Sequence, residues 1–125
     1  MILDTNALSA VADDEPAAVQ AFVTADRVAI PAVVLGEYRF GFMQSRLRKH
    51  YEDWTEKIIV ASQILVIDEQ TSRYYAALRL ELKKTGKPLP TNDLWIAALC
   101  RQHSLPVLSR DRHFDAVPGV TRLSW

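Results

Sequence analysis

Five short segments of extended character recur along the chain: Met1-Ile2-Leu3, Arg27-Val28-Ala29-Ile30, Ile64-Leu65-Val66-Ile67, Pro106-Val107-Leu108 and Val120 to Leu123. Stretches of helical length separate most of them. Strands this short, alternating with helices, pair in parallel, because parallel neighbours require a crossover and a helix normally provides it. The predicted fold class is therefore α/β.

The intervening segments support this reading. Asp4-Thr5-Asn6 suits the end of a strand and the cap of a helix. Pro16 follows Asp14 and Glu15 at a helix start, and Ala17, Val19, Phe22 and Val23 recur at helical spacing to about Ala25. Ala32 to about Gln44 reads as a mainly buried helix, and Tyr51, Trp54, Ile58 and Ile59 define an amphipathic one. The Ile64–Ile67 segment reads as a fully buried strand ended by Asp68. A long helix from Thr71 through Lys84 turns Tyr74, Ala77, Leu78 and Leu82 inward and stops at Gly86 and Pro88. Thr91-Asn92-Asp93 then caps a helix running to about Gln102, and a turn or short helix covers Asp111 to Phe114.

No repeat, linker or low-complexity tract divides the 125 residues, and 49% hydrophobic content fills one core, so residues 1–125 are expected to form a single domain. Cys100 is the sole cysteine, which excludes an internal disulfide and fits a reducing compartment. No charged leader with a long apolar run and no bilayer-length segment is found, so a cytoplasmic location is expected. Fifteen basic and fifteen acidic residues cancel, leaving no overall field of the kind that marks a nonspecific nucleic-acid binder. Cations still cluster, at Arg39 to His50, at Lys83, Lys84 and Lys87, and at Arg110, Arg112 and His113; solvated helix ends and loops are the ordinary explanation for each.

Four acids stand apart from the surface charges. Asp4 follows the first strand, Glu37 lies in the helix after the second, Asp93 opens a later helix, and Asp111 follows the strand at Val107-Leu108. In an open parallel sheet such positions gather at the carboxyl edge of the strands, where ligand sites form. Each acid has an ordinary role available, since Asp4 and Asp93 can cap helices and Asp111 can form a turn. Glu37 is harder to dismiss, because its neighbours Val33, Val34, Leu35, Tyr38 and Phe40 are apolar and a lone buried carboxylate is costly. Asp93 introduces the apolar Leu94-Trp95-Ile96-Ala97-Ala98-Leu99 and raises the same difficulty.

Gathered carboxylates repel unless cations neutralise them. Magnesium or manganese suits hard oxygen ligands, whereas the histidines lack the spacing of a zinc finger. An acidic metal site of this kind fits phosphodiester hydrolysis, in which the metal activates water and offsets phosphate charge. Thr5, Asn6 and Ser109 are candidate supporting groups, with helix capping an equally good explanation for the first two.

Leu3-Asp4-Thr5-Asn6, Gly36-Glu37 with Arg39 and Gly41, Asn92-Asp93-Leu94-Trp95-Ile96-Ala97-Ala98, and Ser109-Arg110-Asp111-Arg112-His113-Phe114 together resemble the PIN-domain ribonucleases, especially the VapC toxins of prokaryotic toxin–antitoxin pairs. The resemblance covers nearly the whole chain. It implies a three-layer α/β/α fold with a central parallel sheet, Mg²⁺- or Mn²⁺-dependent cleavage of RNA, a homodimer, and neutralisation by a VapB-type antitoxin. It also implies that Asp4, Glu37, Asp93 and Asp111 form the acidic quartet. Asp115 is the alternative fourth acid, although Asp111 lies closer to the strand end.

Three competing functions have distinct signatures. A catalytically silent RNA- or protein-binding module on the same fold would be marked by loss of an acid from the quartet, and none is lost. A phosphatase with Asp4 as nucleophile would often carry a second acid where Asn6 stands. A phosphoacceptor receiver domain would need an acidic pair and a downstream lysine, which do not occur in the right places.

Overall fold

The computed structural model describes residues 1–125 as a five-stranded, wholly parallel sheet in the order β3-β2-β1-β4-β5, with β1 at Ile2–Leu3, β2 at Ala29–Pro31, β3 at Gln63–Leu65, β4 at Val107–Leu108 and β5 at Arg122–Leu123. Six α-helices join them: α1 (Thr5–Ala12), α2 (Pro16–Thr24), α3 (Ala32–Phe42), α4 (Arg48–Val60), α5 (Glu69–Thr85) and α6 (Thr91–His103). A 3₁₀ helix, Arg112–Ala116, links β4 to β5. The path from β1 through β2 to β3 advances in one direction, and β3 to β4 returns across the sheet. Right-handed crossovers therefore place α1 to α4 on one face and α5 and α6 on the other. The helix contacts agree, with α1 touching α2 and α3, α3 touching α4, and α5 packing on α6.

The first strand is the middle of the sheet. Ile2 pairs with both Ala29 and Val107, and Leu3 with Leu108, so β1 is enclosed on both edges. Its side chains and those of β4 are fully buried, which explains why apolar runs of two or three residues suffice as strands. Phe114, Leu8, Ile30, Leu78, Ile96 and Leu99 fill the space between sheet and helices.

Several local expectations are corrected. The strand predicted at Ile64–Ile67 is shorter, and only Leu65 is buried; Val66 and Ile67 are 61% and 39% exposed. The cause is pairing: β3 has only β2 beside it, β2 ends at Pro31 opposite Leu65, and Val66 and Ile67 run on past the sheet. On α2 only Ala18 is fully buried, while Val23 is exposed. Phe40 points into solvent at 79% exposure although it neighbours buried Tyr38 and Phe42. Ala77 is exposed, and Tyr75 instead stacks on Trp95 with ring centroids 3.9 Å apart. Pro31 does not stop β2 but completes it and then stands at the N-cap of α3.

The end of α5 falls where expected, and its start carries a cap that the sequence reading did not assign. Asp68 caps α5 through a reciprocal box with Thr71, and Gly86 ends that helix in the left-handed region at φ 69°. No helix is long and apolar enough to cross a membrane.

Phe114 is fully buried on the 3₁₀ helix that follows Asp111. Phe114→Ala is expected to lower the unfolding free energy by about 3–5 kcal/mol, as found for large-to-small core substitutions. Urea denaturation followed by circular dichroism measures it, and a loss below 1 kcal/mol would show that the segment is not anchored by this ring.

Candidate active site

The reversal of strand order falls between β1 and β4, and two of the four acids leave the sheet there. Such a switch point opens a crevice at the carboxyl ends of the strands, because the two flanking connections diverge to opposite faces. Asp4 follows β1, and its amide donates to the Leu108 carbonyl at 3.4 Å, across the β1–β4 junction. Ser109 and Asp111 follow β4 directly. Glu37 arrives from the second turn of α3, and Asp93 from the first turn of α6.

Asp4 is 4% exposed and accepts a 2.8 Å hydrogen bond from the Ala7 amide, so it does cap α1. The capping role and a place in the acidic site are compatible, since a carboxylate has a second oxygen. Burial raises the Asp4 pKa; the Ser109 hydroxyl and Ala7 amide oppose the shift, while the charges of Asp111 and Glu37 add to it. Asp93 is pushed up to about 6, first by burial and then by Asp111, Asp4 and Glu37, with His113 pulling the other way. These mutual effects bind the four acids into one electrostatic group.

Asp93 does not cap α6, contrary to the sequence expectation. Pro90 occupies the N-cap without a side-chain hydrogen bond, and Asp93 sits within the first turn. Its carboxylate is thereby free for other partners. Glu37 is half-buried and not solitary: Thr5 Oγ1 donates to its Oε2 at 3.1 Å, and the Asn92 side-chain Nδ2 donates to its Oε1. Thr5 and Asn92 thus hold one carboxylate from two helices on opposite faces of the sheet.

Ser109 is wholly buried and accepts from the Asp111 amide at 2.9 Å, which shapes the turn after β4. Asn6 is exposed on α1, and its side chain makes no hydrogen bond within the chain. Asp111 caps the 3₁₀ helix through the His113 amide, and the same oxygen lies 2.9 Å from His113 Nδ1. Asp115 is elsewhere, with both its oxygens held by Arg122 at 2.8 and 3.0 Å.

Asp93, Asp111 and His113 offer one ligand atom each within 4.8 Å of one another, close enough to share a metal ion. The donor set, two carboxylates and an imidazole beside two further carboxylates, matches a divalent cation, and the raised pKa values identify charge awaiting neutralisation. Two participants escaped the sequence reading, Asn92 and His113. Both lay beside a chosen acid, but only the fold shows that the one reaches Glu37 across the sheet and that the other turns back onto Asp111.

A raised folded-state pKa has a defined sign for stability. The contribution of Asp93 is fully present below its ordinary value of 3.8 and is lost as pH rises through about 6. Metal-free wild-type protein should therefore lose thermal stability relative to Asp93→Asn between pH 4 and 7. Melting curves in chelator across that range test this, and parallel pH profiles for the two proteins would refute it.

The model of the family described as PIN domain matches residues 1–120. Ribonuclease VapC5 of Mycobacterium tuberculosis is 33% identical over 97 residues, covering 76% of this chain and 72% of that protein. Toxin FitB of Neisseria gonorrhoeae is 30% identical over 122 residues, covering 89% and 87%. Among solved structures, VapBC-5 from Mycobacterium tuberculosis superposes with a TM-score of 0.74 at 30% identity over 98% of this chain and 94% of that one. The match to the family over nearly the whole length, together with the acids gathered at the switch point of an α/β/α sheet, shows that this chain belongs to the PIN-domain family, in its VapC-type branch.

Proposed function

We propose that the chain is a metal-dependent endoribonuclease that hydrolyses RNA phosphodiester bonds, acting as the toxin of a VapBC-type pair. The observation that carries the reading is the assembly of Asp4, Glu37, Asp93 and Asp111 at one strand edge, with His113 against them, in a chain similar over most of its length to a protein named as a ribonuclease. Asp93, Asp111 and His113 would hold the cation, Mg²⁺ or Mn²⁺, with Asp4 and Glu37 completing the acidic wall. When bound, the cation supplies Lewis-acid polarisation of the phosphate and activation of water for in-line attack.

The protein's own groups prepare this site. Thr5 and Asn92 fix both oxygens of Glu37, so its charge stays in one place without the cost of reorganisation. Ser109 holds the Asp111 turn, which sets the position of the cluster relative to β4. Arg112 is exposed beside His113 and forms no ion pair, leaving a guanidinium to meet a phosphate.

Purified protein with Mg²⁺ or Mn²⁺ should cut structured RNA in its single-stranded loops, where bases can be splayed out and read. Asp4→Asn and Asp93→Asn should each lower the rate on the order of 10²-fold or more, and Asn92→Ala by roughly 10- to 100-fold through loss of support for Glu37. Sequencing the RNA ends against an Asp93→Asn control measures both rate and site. Undiminished cleavage by both aspartate variants, or in excess chelator, rejects the quartet; absence of any cleavage by wild type favours the silent binding module.

A VapB-type antitoxin and a homodimer complete the proposal. The solved structures similar to this chain include a FitAcB structure from Neisseria gonorrhoeae at 28% identity and a TM-score of 0.81. Phe40, Met43 and Leu47 expose apolar surface at the end of α3 and the turn after it, of the kind partner helices cover. Expression alone should arrest growth, and co-expression of the neighbouring gene should relieve it. A harmless wild-type chain would point to a housekeeping nuclease, and a monomeric mass at high concentration would exclude the dimer.

A further inference from the structure

The chain is neutral overall, yet its unpaired cations are not evenly spread. Seven of its fifteen lysines and arginines form ion pairs with carboxylates: Arg39, Arg48, Lys49, Arg73, Arg101, Arg110 and Arg122. Of the eight that do not, four fall between residues 79 and 87: Arg79, Lys83, Lys84 and Lys87. The nearby Glu81 is already taken by Arg101 at 2.6 Å. The helix dipole accounts for Lys83 and Lys84 in the last turn of α5. It does not account for Lys87, beyond the helix end, or for Arg79, which lies further back and donates one hydrogen bond to the Tyr75 hydroxyl at 3.0 Å but meets no carboxylate.

These cations adjoin a built concavity. A groove of about 430 Å³ runs between the C-terminal half of α5, the Gly86–Leu89 loop and the start of α6. Arg79 and Lys83 stand on one side and Thr91 on the other, over a floor that includes Leu82 and Leu94. Thr91 immediately precedes Asn92, which donates to Glu37, and Asp93 of the acidic cluster. The groove therefore adjoins the first turn of α6, the turn that also carries Asn92 and Asp93 and whose N-cap has no side-chain partner.

We propose that this groove is a phosphate-binding subsite for the RNA strand flanking the bond to be cut, with Arg79 and Lys83 as its contacts and Lys84 and Lys87 extending the track. This rests on the ribonuclease reading. An acidic pocket alone repels a polyanion, so a substrate strand needs cations on the path leading to it. The α5–α6 groove supplies them beside the start of the helix that carries Asp93, and its apolar floor gives the sugar or base between two phosphates a surface to lie against.

The test is the salt dependence of cleavage and binding for a short single-stranded RNA. Arg79→Ala/Lys83→Ala should raise KM roughly 10- to 30-fold at 0.1 M salt and reduce the slope of log KM against log salt by about 1.4, with the effect on KM rather than kcat. Arg79→Lys/Lys83→Arg should retain the wild-type slope, and Lys57→Ala, which removes an unpaired cation on α4, should leave it unaltered. Binding of labelled RNA to the Asp4→Asn protein, with and without the double substitution, repeats the slope measurement without turnover. An unchanged slope in a wild type that cleaves overturns the subsite and leaves the ribonuclease intact. A reduced slope for binding in a protein that never cleaves supports the subsite and overturns the ribonuclease. Failure of the RNA to bind at all removes both.

Discussion

Repulsion among carboxylates at the carboxyl edge of the sheet is the constraint to which the surrounding structure answers. Asp4 and Asp111 leave adjacent central strands, so their approach is set by the spacing of β1 and β4. Asp93 and Glu37 are brought in by helices that pack on opposite faces. Asp4, Asp93 and Asp111 sit at a strand end or a helix start, and Glu37 is held by Thr5 and Asn92. Burial raises the pKa values of Asp4 and Asp93, and the neighbouring carboxylates add to both shifts. A rigid acidic crevice binds cations well because it has little freedom to lower its own energy in their absence.

The same residues serve helix capping and the acidic cluster. Asp4 caps α1 while contributing to the cluster, and Asp111 caps the 3₁₀ helix while contacting His113. Glu37 is held by two groups that belong to no cap, which makes Thr5 and Asn92 the clearest examples of side chains placed for the site. The choice between a structural and a functional role, open for each acid taken singly, is therefore not exclusive for Asp4 or Asp111.

Much of the architecture was legible because strand alternation with helices permits few topologies. The position of Asp4 followed from an apolar run ending in a capping triplet, and the end of α5 from Gly86. What failed to show was whatever depends on lateral neighbours. Hydropathy gave Val66 and Ile67 the look of a buried strand because nothing local marks an edge. Phe40 looked internal because apolar neighbours in sequence point to different faces of a helix. His113 and Asn92 were hidden for the related reason that their partners lie across a turn or across the sheet. The capping triplet read at Thr91-Asn92-Asp93 lies just inside α6, because Pro90 occupies the N-cap.

The placement of β1 also orders events during synthesis. This strand is made first, yet one of its edges waits for β4, more than a hundred residues later: the Ile2 amide donates to the Pro106 carbonyl, and the Asp4 amide to that of Leu108. Such long-range pairing forms late, since the chain between must be gathered before the contact gives any return. A nascent chain can fold its β1–β2–β3 half while Asp111 and His113 are still unmade. The acidic crevice then has only one wall, and the cluster of Asp93, Asp111 and His113 cannot close until α6, β4 and the turn after it have been added.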